Sequence, residues 1–231
     1  MRSLWRTIDR DTVRVSVLIC LSVAVVGMSY GVTAGSAGFS LWQLLALAVL
    51  VLGASSEFLF IGIIAAGGSA TAAVVAGLLI NSRNFAYGMS AGPFLGRGRY
   101  GDSGWRRMLA AHLVNDESVA VAMAQESVER KRAAFWFCGI GIAVAWPIGA
   151  LLGGLLGSVV QDPGALGLDA AFPVVILALV LPALRERVTL LAAMVGAVIA
   201  VAASPFLPPG TAPLVALLSI TVTIPFREKV R

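Results

Sequence analysis

Charge is scarce in this chain. Only 13% of its 231 residues are Asp, Glu, Lys or Arg, against roughly 25% in an average soluble domain. No stretch is polar and long enough to form a separate water-soluble domain. Histidine is scarcer still. His112 stands alone, which removes most histidine-based metal sites and leaves any serine nucleophile a single histidine to act as its base. The two cysteines, Cys20 and Cys138, give neither a disulfide framework nor a metal-ligand spacing, and both read as small apolar core residues. No G-x-x-x-x-G-K-S/T pattern occurs, so direct nucleotide coupling within the chain is not expected. Neither a metal nor an organic cofactor is implied.

What is present is apolar. The chain is 58% hydrophobic with a mean hydropathy of +0.91. About 20 apolar residues cross a bilayer, so the length accommodates about six to eight segments in one membrane domain over residues 1–231. The expected fold is an all-α polytopic membrane protein with broken or re-entrant helices. A pI of 9.9 and net charge of +5 do not point to nucleic acid. The positive residues sit in short clusters between apolar runs (Arg2/Arg6/Arg10/Arg14, Arg97/Arg99/Arg106/Arg107, Arg130-Lys131-Arg132, Arg185/Arg187 and Arg227/Lys229/Arg231), which is the positive-inside pattern of a multi-pass membrane protein.

In chain order, residues 1–14 read as a basic cytoplasmic lead-in and Val15–Thr33 as a first, uncleaved span. The rival is a signal peptide ending near Gly35-Ser36-Ala37. Gly27-Met28-Ser29-Tyr30-Gly31 fits the G-x-S-x-G nucleophile pattern, but no strand precedes it. Gly27, Gly31 and Gly35 instead repeat at i, i+4 and i+8, a ridge for close helix packing, and Gly149, Gly153 and Gly157 repeat it later. A second segment, Leu41 to Ala66, is interrupted near Gly53–Phe58. A third runs from Ala70 to Leu95. Residues 96–132 form a polar central linker, and within it Asn115 or Asp116 caps a short helix beginning near Glu117. Four cleaner spans follow near 133–156, 170–184, 188–205 and 211–226. The run from Gly167 parallels the run from Gly38, as in a repeat of three segments. Counting crossings leaves residues 97–107, with four arginines, outside: either an early segment is re-entrant, or Met108–Gln125 crosses and that loop breaks the positive-inside rule.

The stretch from Leu78 to Leu95 holds Asn81, Arg83, Asn84, Tyr87 and Ser90 inside an apolar run. On a helix, Arg83, Tyr87 and Ser90 share one stripe and Asn81, Asn84 and Gly88 a second. Charge at membrane depth costs several kcal/mol, so Arg83 either faces a polar pathway or snorkels to the headgroups. Pro93 and its small neighbours favour a broken helix. Glu57 is the one acidic residue in the middle of an uninterrupted apolar run. It either pairs with Arg83 or titrates protons and binds a substrate amine.

Four ordered motifs carry a resemblance: Ser29-Tyr30-Gly31, Gly53-Ala54-Ser55-Ser56-Glu57-Phe58, Asn81-x-Arg83-Asn84-x-x-Tyr87-Gly88-x-Ser90-x-x-Pro93, and His112-Leu113-Val114-Asn115-Asp116-Glu117-Ser118. Together they resemble the AzlC family, large subunits of branched-chain amino acid exporters, over about residues 15–225. The resemblance implies efflux of valine, leucine, isoleucine and, in some members, methionine, with a small AzlD-type membrane subunit as partner. Two positions depart from the family: Asn84 stands where histidine is common, and Asn115 where threonine is common. An amide does not titrate near neutral pH, so Asn84 relays no proton.

The expected function is therefore a secondary exporter of small neutral amino acids driven by the proton motive force. In that scheme Glu57 takes the substrate amine, Arg83 with Asn81 and Asn84 the carboxylate, and Phe58 or Phe85 the side chain. Ser56, Tyr87, Asp116 and Glu117 complete the candidate site. The alternatives are an intramembrane enzyme, an exporter of another small metabolite, and a non-transporting scaffold subunit, which would have no need of costly buried charge.

Overall fold

The computed structural model describes residues 7–96, 104–159, 177, 181, 183–207 and 211–221, and among these there are helices and no strands. Two long helices form its frame. Helix α1 (Arg10–Ser36) starts from an Asp9 cap whose carboxylate accepts the Thr12 N–H, so residues 10–14 belong to the first helix and not to a lead-in. The second, Val128–Val159, is α8 in chain order. The two run parallel along a seam of small residues: Cys20 lies beside Gly141, Ala24 beside Gly149, Met28 beside Gly153 and Val32 beside Gly157. A Cβ on Gly31, Gly149 or Gly153 would collide with backbone of the facing helix, the close approach that small-xxx-small ridges permit in lipid. Gly27 joins the seam against the backbone of Trp146 and Gly149. Gly35 does not, having nothing within 4 Å of its Cβ position.

Because α1 and α8 start at the same end, the chain between them must return. It does so in pieces. Helix α2 (Leu41–Leu50) begins at the far end, where Leu41 and Leu44 touch Gly154. At residues 51–54 the chain reverses, with two non-glycine residues at positive φ, Leu52 (48°) and Ala54 (36°). Helix α3 (Ser55–Ala65) then runs back to the end it came from. Tyr30 fixes the reversal. Its hydroxyl donates to the Leu44 carbonyl at 3.0 Å, while its ring meets Phe58 edge-on at 5.7 Å, so α2 and α3 pass the same level. Phe60 reaches Phe39, just beyond α1, at 6.1 Å.

After a turn at Gly67 (φ 79°), α4 (Ala70–Asn81) descends beside α3, and α5 (Arg83–Leu95) continues to the starting end. There the Phe94 carbonyl accepts two bonds from the Arg132 guanidinium, at 3.0 and 2.8 Å. The third segment is thus interrupted, but at Ser82 and not at Pro93. Ser82 keeps near-helical angles (φ −57°, ψ −24°), which makes the interruption a kink. Pro93 sits in the last turn of α5 without ending it.

The central stretch is helical where it is described. Residues 104–123 form a second hairpin, α6 (Gly104–His112) and α7 (Asp116–Met123), with Ser118, Val119, Val121 and Ala122 buried. It enters from the starting end. Its tip brings His112 Nε2 to 2.9 Å from the Val49 carbonyl, and it returns to Gln125, whose amide donates to Thr12 Oγ at 3.0 Å. The four hairpin helices have 10, 11, 9 and 8 residues. At 1.5 Å per residue each reaches only about 12–16 Å, half of a hydrocarbon core of about 30 Å. The hairpins therefore enter half-way from opposite ends, while α1, α4–α5 and α8 run from end to end. Among the described residues, both hairpins have the form of re-entrant segments.

Helices α9 (Arg187–Ala203) and α10 (Ala212–Ala216) pair through Gly196, whose Cβ position lies 3.2 Å from the Ala216 carbonyl. Leu214 rests on Ile63, Ala73 and Ala76. The run from Gly167 that parallels Gly38, and most of the span near 170–184, lie outside the described residues. Overpacking a tight interface costs about 1–3 kcal/mol. Gly153→Ala, whose methyl would strike the Met28 carbonyl, should therefore lower the thermal unfolding midpoint in detergent by several degrees, whereas Gly35→Ala should leave it unchanged.

Candidate functional site

Three interruptions meet at mid-depth: the 51–54 tip, the Ser82 kink and the 113–115 tip. Each leaves backbone groups without helical partners, and side chains fill the gaps. At the first tip Glu57 is 1% exposed. Its Oε1 accepts the Gly53 N–H at 2.9 Å and its Oε2 accepts Trp146 Nε1–H at 3.2 Å. Tyr30, Phe58 and Trp146 close around it with ring centroids 5.2–6.3 Å apart. At the second tip Asn115 caps α7, as expected: its Oδ1 accepts the Ser118 N–H at 2.7 Å, and Ser118 Oγ accepts the Asn115 N–H at 3.3 Å and donates to the Leu113 carbonyl at 2.8 Å.

Of the two readings of Glu57, the pair with Arg83 does not form. Arg83 donates to Ser55 Oγ at 3.0 Å and stands 3.9 Å from Asp116 Oδ1. The reason is helical geometry: residues 55 and 57 project about 200° apart around α3, so Ser55 faces Arg83 while Glu57 turns toward α8.

A cavity of about 490 Å³ opens on the Arg83 side. Its polar end is built by Ser55, Arg83, Asn84, Asn115, Asp116 and Glu117. Its apolar wall comes chiefly from Val15, Leu18, Ile19, Val23 and Val26 of α1, with Ile142 and Trp146 of α8. Opposite charges thus meet at one end of a slot with aliphatic sides, close to where three helix termini converge.

The structure divides the sequence candidates. Arg83, Asn84, Asp116 and Glu117 share the cavity. Glu57 lies behind the tip, as does Ser56, which is buried with its Oγ 3.5 Å from the Gly53 carbonyl. Asn81 is with them: its Oδ1 is buried with no hydrogen-bond partner among the described residues, next to Gly53. Tyr87 is half-buried against the main core. Phe58 is fully buried and Phe85 is 74% exposed on the outer face, so neither lines the cavity. Ser29 lies inside α1, its carbonyl accepting Thr33 Oγ at 2.7 Å, without the strand-to-helix turn of a nucleophile elbow.

Sequence reasoning missed the α1 wall and Trp146. Trp146 had a readable signal, since an indole N–H inside a span needs an acceptor, and Glu57 is a buried one. Removing that acceptor should destabilise the chain by about 1–3 kcal/mol for each donor orphaned. Glu57→Ala should therefore lower the unfolding midpoint. Trp146→Phe should then cost less in the Glu57→Ala background than in the wild type, a coupling of at least about 0.5 kcal/mol in a double-mutant cycle.

The profile of the AzlC protein family matches residues 18–160, from the middle of the first α1 turns to the end of α8, taking in both hairpins and the whole cavity polar end. No curated protein and no solved structure gives a significant match. The family is associated with branched-chain amino acid transport, and with the match extending over more than half of its length this chain belongs to the AzlC family.

Proposed function

We propose that the chain is a secondary transporter that exports small neutral amino acids, the branched-chain ones and methionine, from the bacterial cytoplasm. The observation that carries this reading is the cavity. An amino acid zwitterion presents one carboxylate, one ammonium and an aliphatic tail. The slot offers Arg83 with the Asn84 amide for the first, Asp116 and Glu117 for the second, and the α1 valines and leucines for the third. Its volume of about 490 Å³ falls in the range of small-molecule sites, about 300–1,000 Å³. Binding at mid-depth between discontinuous helices is how many secondary transporters place their substrates.

The geometry moves one role. Glu57 has both oxygens engaged and does not line the cavity, so substrate amine and any transported proton meet Asp116 and Glu117. Glu57 is a positioning residue that holds the first tip against α8. Orientation follows from charge: Arg10, Arg14, Arg106, Arg107 and Arg130-Lys131-Arg132 all cluster at the end where α1 and α8 begin, which is then cytoplasmic. A small AzlD-type subunit completes the transporter, and the proton motive force drives it.

The test is efflux of preloaded radiolabelled valine, isoleucine and methionine from cells lacking their own exporters, with this chain alone and with its small subunit co-expressed. Efflux should accelerate, and most with both. No acceleration with membrane-inserted protein would overturn the reading. Arg83→Gln removes a charged donor and should weaken substrate binding roughly 10- to 100-fold, seen as a raised half-saturation concentration. Asp116→Asn should also raise it, whereas Glu57→Gln should act mainly on stability. Unchanged transport in Arg83→Gln would remove the cavity from the mechanism.

A further inference from the structure

We infer that the groove between α5, α6 and the first turns of α8 is a binding site for an anionic phospholipid of the cytoplasmic leaflet. This groove is separate from the central cavity and larger, about 1450 Å³. It has two chemically distinct zones. One is a rim at the basic end, lined by Arg106 and Arg107 of α6 and by Glu129 and Arg130 of α8, the Arg130 guanidinium also lying 3.7 Å from Asp9 Oδ2. The other is an apolar wall further in, made by Phe85, Met89, Trp136 and Ile140.

Position decides what such a groove can hold. Helix α5 runs from Arg83 at mid-depth to Phe94, clamped by Arg132 at the basic end. Its Phe85–Gly92 stretch therefore lies at hydrocarbon depth and the arginine rim at headgroup depth. Phe85 and Met89 are 74% and 60% exposed, and the Cβ positions of Gly88 and Gly92 meet nothing within 4 Å, which leaves an open channel along the helix. An occupant must be apolar along its length and anionic at one end. Trp105, whose ring lies 5.4 Å from the Arg106 guanidinium, flanks the opening, as interfacial aromatics flank headgroups. Basic pockets between membrane helices on the cytoplasmic side hold acidic headgroups, each arginine near the surface contributing a roughly fivefold gain in affinity. The phosphate seats between Arg106, Arg107 and Arg130, and an acyl chain lies along the Gly88–Gly92 channel. Asn84 lines both this groove and the central cavity, so the lipid also forms part of the partition between them.

The experiment uses the full chain in liposomes of mixed phosphatidylcholine and phosphatidylglycerol, followed by native mass spectrometry. Phosphatidylglycerol should be retained preferentially, and Arg106→Gln with Arg107→Gln should weaken that retention roughly 25-fold. In parallel, phosphatidylglycerol brominated on its acyl chains should quench a component of the wild-type tryptophan emission that disappears in Trp136→Phe. Equal retention of both lipids, retention unaffected by the double substitution, or no Trp136 quenching would each overturn the proposal, the last being the outcome if a protein helix occupies the groove instead.

Discussion

The backbone inside a membrane has no water to bond to, so every N–H and carbonyl at that depth must find a protein partner. The rest of this structure follows from that constraint. Two hairpin tips and a kink place non-helical backbone at mid-depth, and each is answered by a side chain a few residues away: Glu57 for the Gly53 N–H, Asn115 with Ser118 at the second tip, Ser82 Oγ for the Leu79 carbonyl at the kink. The tips also answer one another through His112 and the Val49 carbonyl. What looks in the sequence like a scatter of polar residues through apolar runs is the set of groups that makes interrupted helices tolerable.

The cavity is a by-product of the same arrangement. Two hairpins that stop half-way from opposite ends leave a gap where their tips face each other, and α1 walls it because the glycine seam holds α1 tightly to α8. The Arg83–Asp116 pair is not sealed in: the Arg83 side chain is 40% exposed and that of Asp116 45%. A partly exposed pair of this kind is weak. Glu57, by contrast, is fixed by a backbone amide and an indole, and its removal would orphan both.

Much of this was legible in the sequence. The all-α membrane class followed from composition, the tight α1–α8 seam from two glycine ladders, the second tip from the Asn115 cap, and the first from the polar run Gly53–Glu57. What was not legible was tertiary. Spacing of side chains along one helix does not say which neighbour they face, so a pairing of Glu57 with Arg83, the two conspicuous charges inside apolar runs, stood as one of two readings. Ser55 and Asp116 instead take Arg83, and Trp146, from a helix some ninety residues further on, takes Glu57. The apolar wall was invisible for a simpler reason: valines and leucines that face a cavity read the same as those that face lipid.

The positive-inside count shows how a topological difficulty carried information. If all three early segments crossed, the arginines near residue 106 would lie on the opposite side from Arg10 and Arg130. The hairpins remove the conflict, because a segment that enters and leaves by the same face adds no crossing. The α2–α3 hairpin consumes 25 residues of apolar sequence, Leu41–Ala65, without changing sides, and the α6–α7 hairpin does the same from the opposite face. An imbalance of arginines across an assumed topology is thus a sequence-level sign of re-entrant helices. In this chain the segments it implicates are the ones whose tips build the cavity.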